Sequence, residues 1–198
     1  MIRPIVLASS SPYRRQLLER LRLPFDCEAP DVDETGRAGE APSQLARRLA
    51  LLKACAVGER FPEAVVIGSD QVAEMDGLAI GKPGGHPQAL RQLLAMQGRT
   101  VVFHTALAVV RRCDGRERVE CVDTEVRFRR LPAQALDAYL RIEQPYDCAG
   151  SAKIESLGIC LVESVRSDDP TALIGLPLIR LTSMLADCGV ALPGQPKQ

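Results

Sequence analysis

The sequence has no tryptophan, and its aromatic content stops at four phenylalanines and three tyrosines in 198 residues. So few rings disfavour a surface that stacks successive bases along a strand. Charge of one sign is also missing. The 25 basic side chains are matched by 25 acidic ones, so no basic field exists to hold a phosphate backbone. Together these absences disfavour a helical RNA- or DNA-binding module. Histidine is confined to His86 and His104. The seven cysteines, Cys27, Cys55, Cys113, Cys121, Cys148, Cys160 and Cys188, are odd in number and never spaced Cys-x-x-Cys. The spacing of a zinc cluster is therefore absent, and the cysteines read as reduced, mostly buried thiols of a cytoplasmic protein. No apolar run approaches the length of a membrane span, and the opening stretch Met1-Ile2-Arg3-Pro4-Ile5-Val6-Leu7-Ala8 is too short for a signal peptide.

What is present is an alternation of strand and helix signals. Ile5 to Ala8 is a short apolar run, Ser9-Ser10-Ser11-Pro12 a serine loop, and Arg14 to Leu23 carries leucines at helical spacing. Residues 29–42, rich in Pro, Asp, Glu and Gly, read as a loop. Ser43 opens a helix striped by Leu45, Leu49 and Leu52, and Lys53 follows in its last turns. Val65 to Gly68 predicts a buried strand ending at Asp70, followed by a Gly-rich connection and a helix over about residues 87–97. Thr100 to Val110 and Val119 to Phe128 read as a hairpin across Asp114-Gly115. Pro132 starts a helix, Ile159 to Val162 is a short strand, and Pro177 begins a final helix through Leu185. The expected fold is α/β, an elongated mixed sheet flanked by helices. Residues 1–191 form one domain with two lobes, and 192–198 a frayed tail.

Three segments carry chemistry. Ser9-x-Ser11-Pro12-x-Arg14-Arg15 lies between strand and helix, where hydroxyls, unpaired N–H groups and guanidinium groups converge on an anion. Neighbouring arginines cannot share a helix face, so one of the two is expected on phosphate and the other in an ion pair. Gly77 to Pro83 is not a Walker motif: three residues separate its glycines, and Pro83 stands where Ser or Thr would hold magnesium. Lys82 remains a point charge for phosphate. Asp31, Asp33 and Glu34, with Asp70, offer hard oxygen ligands to a magnesium-type ion. Cations on phosphate oxygens, beside acids that hold metal and activate water, are what phosphoanhydride cleavage needs. A capped helix, a surface turn and solvated loop acids are the plain alternatives at these segments.

In this order the segments resemble the Maf family of nucleotide pyrophosphatases. The likeness runs through Leu7-Ala8-Ser9-Ser10-Ser11-Pro12-Tyr13-Arg14-Arg15, Asp33-Glu34, Lys53, Gly68-Ser69-Asp70-Gln71 and Gly81-Lys82-Pro83. The resemblance implies hydrolysis of a nucleoside triphosphate between its α and β phosphates, a divalent cation (Mg2+, Mn2+ or Co2+), a fold related to inosine triphosphate pyrophosphatases, and a homodimer. Asp70 would accept the proton, with Ser9, Arg14, Glu34, Lys53 and Lys82 lining the phosphate and metal site; Asp70 and Glu34 would hold the metal. Tyr13, Gln71 and Glu155 stand where the branch acting on dTTP and UTP has Arg, Thr and Gln, so the chain is similar to the branch acting on 7-methyl-GTP. Physical sense agrees, because 7-methylguanine is cationic, a ring face attracts a cation, and an acid accepts from guanine's Watson–Crick edge. The alternatives are the pyrimidine activity of the same family and a nucleotide-binding regulator of septum formation.

Overall fold

The computed structural model describes residues 4–193. Its frame is a seven-stranded mixed sheet with the order β2-β1-β3-β5-β6-β7, in which β4 pairs with β3. Strands β1 (Ile5–Ala8), β2 (Asp26–Glu28) and the first part of β3 (Val65–Met75) run parallel. From β3 onward the partners β4 (Leu78–Ile80), β5 (Thr100–Arg111), β6 (Arg116–Phe128) and β7 (Val162–Ser167) are antiparallel. The β5–β6 hairpin turns where Asp114-Gly115 predicts it, with Gly115 at φ 67.

Helix α1 (Pro12–Glu19) is shorter than its leucine spacing suggests. Leu21 and Leu23 lie past its end yet still pack on the core, beside Leu17 and Leu18. Together with α5 (Leu178–Asp187), α1 covers one face of β1, β3 and β5 through Ile5, Leu7, Ile67, Leu107 and Leu181. The far end of that face is covered by α3 (His86–Met96) and α4 (Ala133–Glu143), which bury Leu93, Met96, Leu136 and Tyr139 against Phe103 and Phe128.

The opposite face belongs to α2 (Pro42–Gly58), and its buried stripe is not the expected row of leucines. Ala46, Leu49, Ala50, Lys53, Ala54 and Val57 face the sheet, while Leu52 is 37% exposed. Small residues meet small residues here, since the facing strands present Ala8, Gly68, Ala106 and Ala108. A Cβ on Gly68 would lie 2.2 Å from the carbonyl oxygen of Ala50. This close seam carries Lys53 into the interior.

Some expectations need correction. The strand predicted to end at Asp70 continues to Met75, so Asp70 is mid-strand. Residues 157–161 form a 3-10 turn, and the last strand begins at Val162. The cysteines are not mostly buried: only Cys188 is, while Cys27, Cys113 and Cys160 are exposed. Leu192, assigned to the tail, packs partly buried on the first core cluster, and the rest of the tail from residue 194 lies outside the described residues. No helix among the described residues is long and apolar enough to cross a membrane.

Candidate active site

A strand interior is an unusual place for a reactive carboxylate, and the pairing of β3 explains how Asp70 is reached. Along one edge, β3 has β5 throughout. Along the other it has β1 only as far as Gly68 and β4 only from Ala73. Between Gly68 and Ala73 that edge has no strand beside it among the described residues, just beyond the C-terminal end of parallel β1. Ligands of open α/β sheets bind outside the carboxyl ends of the strands. Asp70 lies in that gap, 8% exposed, in the wall of a cavity of about 620 Å³. Small-molecule sites typically span about 300–1,000 Å³.

The chain reaches the cavity from several elements. Ser9 and Ser11 line it from the β1–α1 turn, where the Ser9 Oγ accepts from the Ser11 N–H at 3.1 Å and the Ser11 Oγ caps α1 by accepting from the Arg14 N–H at 3.4 Å. Arg14 points inward and its Nε donates to the carbonyl of Gly175 at 2.9 Å. Burial pulls its pKa down, while the charges of Asp70 and Glu34 push it up. Arg15 is absent from the cavity wall, because one helical residue step turns it away. It pairs with Glu19 at 3.2 Å on the surface, with side chains 63% and 51% exposed, where an ion pair contributes little. Of the two neighbouring arginines, Arg14 lines the cavity and Arg15 makes a surface ion pair.

Lys53 sits between two acids. Its Nζ is 2.6 Å from the Asp70 Oδ1 and 2.7 Å from the Glu34 Oε1, with only 6% of its side chain exposed. Two of its three N–H groups thus serve carboxylates. For Glu34, burial raises the pKa, but the hydrogen bond and charge of Lys53, with the charges of Lys82 and Arg14, outweigh it and hold the group below 4.5. Glu34 thus stays ionised as pH falls through 4.5 and loses its charge only at its lowered value. Two carboxylates already closed around one cation are a hard-oxygen donor set that suits a divalent ion. Asp70 and Glu34 are the residues able to hold it. Lys82 is exposed on the cavity rim after β4.

Gln71 lines the same cavity, but its amide nitrogen is spent on the Thr105 Oγ1 at 2.9 Å and on the carbonyls of Ala172 and Leu173 at 3.1 and 3.0 Å. The single Ser69 hydroxyl proton is shared between the carbonyls of Ala106 and Gly175, at 2.8 and 2.9 Å. These bonds anchor the 172–175 segment over the sheet, which in turn orients Arg14. Tyr13, Asp147, Cys148 and Glu155 also line the cavity. Burial and Asp147 push the Cys148 thiol up to about 12, which leaves it unreactive.

One participant gives no signal in sequence. The Lys153 Nζ lies 5.7 Å from the centre of the Tyr13 ring and 3.7 Å from the Glu143 Oε1. Its pKa is raised, first by its hydrogen bond to Tyr13, against burial. One cation therefore already engages the ring on which a cationic base was expected to stack. The two residues stand far apart along the chain, beyond the span of any motif.

An α/β sheet with a gap beside its first parallel strand, and paired acids next to anion-binding groups within it, defines a protein built to bind and act on a small phosphorylated molecule. Residues 4–188 match the family described as Maf-like protein, and the chain belongs to the Maf family. The proteins called 7-methyl-GTP pyrophosphatase in Polaromonas sp. (strain JS666), Bordetella pertussis and Albidiferax ferrireducens are 60%, 59% and 55% identical to it, over 190, 195 and 192 residues. The matches cover 96%, 97% and 97% of this chain and 87%, 96% and 96% of those proteins. Among solved structures, the Staphylococcus aureus Ham1 protein aligns over 63% of this chain and 71% of its own, at 18% identity and a TM-score of 0.47.

Proposed function

We propose that the chain hydrolyses the α–β phosphoanhydride of 7-methyl-GTP, giving 7-methyl-GMP and pyrophosphate. The observation that carries this reading is a single cavity that holds the Lys53-bridged acids Asp70 and Glu34 together with Arg14 and Lys82, and that continues to Tyr13 and Glu155. The names of the relatives, more than half identical over nearly the whole chain, support the same substrate.

In this reading Asp70 accepts the proton of the attacking water, while Arg14 and Lys82 neutralise phosphate oxygens. Lys53 holds Asp70 and Glu34 in register. Those two acids would hold a divalent cation, Mg2+, Mn2+ or Co2+, which would supply charge neutralisation and make water easier to deprotonate. Ser9 and Ser11 shape the phosphate turn at the start of α1, where N–H groups favour anions. Gln71 acts through the 172–175 segment it anchors, as a positioning residue. The reading carries with it a free nucleotide substrate with no nucleic acid or membrane, a homodimer, and the cytoplasm, where exposed thiols such as Cys27, Cys113 and Cys160 stay reduced.

Turnover of 7-methyl-GTP, GTP, UTP, dTTP and CTP, followed by pyrophosphate release with magnesium, manganese and cobalt in turn, tests it. The expected result is highest kcat/KM on 7-methyl-GTP. Preference for UTP or dTTP would assign the chain to the pyrimidine activity, and no release with any of them would leave a binding protein.

Two variants probe the parts. Lys82→Ala removes a charge-assisted contact of about 1.5–3 kcal/mol and should lower kcat/KM about 10- to 100-fold on every nucleotide alike. A loss confined to one base would place Lys82 in base recognition instead. Glu155→Gln keeps shape and acceptor while deleting charge, and should cut the 7-methyl-GTP to GTP ratio of kcat/KM about tenfold, or about 1.4 kcal/mol. With the Lys153 charge already 5.7 Å from the Tyr13 ring, the carboxylate is expected to carry more of this selection than the ring does. Tyr13→Arg should reduce the ratio further by setting like charge against both the base and Lys153. A ratio unmoved by both changes would mean that the base is read elsewhere.

A further inference from the structure

On the α2 face of the sheet, outside the catalytic cavity, His104 is 7% exposed and both of its ring nitrogens face carboxylates. The Nε2 is 2.9 Å from the Glu74 Oε2 and the Nδ1 is 2.7 Å from the Asp123 Oδ1. A neutral imidazole has one N–H, so it can donate to only one of the two acids. Its other nitrogen would then point a lone pair at an anion. A metal ion held between that nitrogen and its acid would relieve the opposition.

The surroundings of the Nδ1 favour a metal. Antiparallel register sets Asp123 directly opposite His104, and Cys121, two residues earlier on the same face, brings its Sγ to 3.8 Å from the Asp123 Oδ1. The ligand atoms of His104, Cys121 and Asp123 all lie within 4.8 Å of one another. Ligands about 2.0–2.3 Å from a tetrahedral ion are about 3.3–3.6 Å apart. The cysteine is near that separation already. Asp123 would need to retreat by about 0.6 Å from His104 on the same arithmetic, and its side chain, 60% exposed, has room to do so. Glu74 on the far nitrogen supplies the carboxylate that orients metal-bound histidines.

We propose that His104 Nδ1, Cys121 Sγ and an Asp123 oxygen form a binding site for a zinc-class transition-metal ion, distinct from the oxygen site at Asp70 and Glu34. One nitrogen, one sulfur and one oxygen suit zinc or cobalt far better than magnesium. Uptake displaces the Cys121 thiol proton to solvent and leaves the fourth position to water on the exposed Asp123 side. The ion would tie β5 to β6 and, through Glu74, to β3. Val72, the register partner of His104, lines the catalytic cavity and separates the two sites.

Titration of the purified full-length protein with Co2+, followed by visible and near-ultraviolet absorption, tests the proposal. A thiolate-to-cobalt charge-transfer band is expected, saturating at one ion per chain, retained in Asp70→Asn and lost in Cys121→Ser and His104→Asn. No such band in the wild-type protein, or a band that persists in Cys121→Ser, overturns it. Should either variant fail to fold, alkylation of the wild-type protein decides: Zn2+ at about ten times its Kd should slow labelling of Cys121 about tenfold by mass action, read by peptide mapping. Labelling of Cys121 at an unchanged rate rejects the site.

Discussion

Asp70→Asn should lose about 10²- to 10⁴-fold in kcat, the usual contribution of a positioned general base, while KM for the nucleotide changes little. The structure sharpens what else to expect. The Lys53 Nζ keeps its contact to Glu34 and finds the amide oxygen of the substituted side chain where the Asp70 carboxylate oxygen was, so the buried ammonium is not stranded. Removing one partner of a buried pair outright destabilises by about 3–5 kcal/mol. Keeping an acceptor avoids most of that, and the melting temperature should fall by only a few degrees, at about 2–4 °C per kcal/mol for a chain of this size. Steady-state turnover at saturating metal, beside a thermal melt, separates the two effects. Turnover within a few-fold of wild type would remove Asp70 as the base, and a large drop in melting temperature would make its role one of structure.

The reverse pattern is expected at Gly68. An alanine there would press its Cβ to 2.2 Å from the Ala50 carbonyl oxygen, 2.8 Å from the Ala54 nitrogen and 2.9 Å from the Ala54 Cβ. Two of those atoms are helix backbone, which cannot swing aside as a side-chain tip can. Overpacking typically costs about 1–3 kcal/mol where side chains adapt. Here the whole of α2 must lift from β3, so at least about 3 kcal/mol is expected, or about 6–12 °C in melting temperature. Activity should fall as well, because the same helix delivers Lys53 to Asp70 and Glu34. A Gly68→Ala protein melting within about 2 °C of wild type, less than about 1 kcal/mol for a chain of this size, would show that the seam is looser than its distances imply.

Much of the architecture is written locally. Four consecutive apolar residues at Ile5–Ala8 do form a buried strand, and Asp114-Gly115 does close the long hairpin, while Ser11 caps a helix that opens at Pro12, inside the expected serine loop. Each signal acts over a few residues, through burial, capping or a left-handed turn, and needs no distant partner. The run of β3 is different. Gly68-Ser69-Asp70 reads as a strand end because polarity breaks the apolar run, yet the ladder to β5 carries it on to Met75. Likewise the buried stripe of α2 is set by how near β3 lets the helix come, so alanines won the interior over Leu52.

By itself the sequence determined which residue types are available for phosphate and metal chemistry, the motifs in which they stand, and the succession of strands and helices that holds them. Tertiary structure decided everything that depends on a neighbour far along the chain. It left β3 with one open edge between Gly68 and Ala73, and so opened Asp70 to a cavity. It turned Arg14 in and Arg15 out, closed Lys53 between two acids, and set Lys153 against Tyr13. It also gathered His104, Cys121 and Asp123, whose separations match no ligand motif. The physical reason is common to all of these. Strand register and helix approach are fixed by packing across the whole sheet, and a local window of sequence holds only one side of each contact.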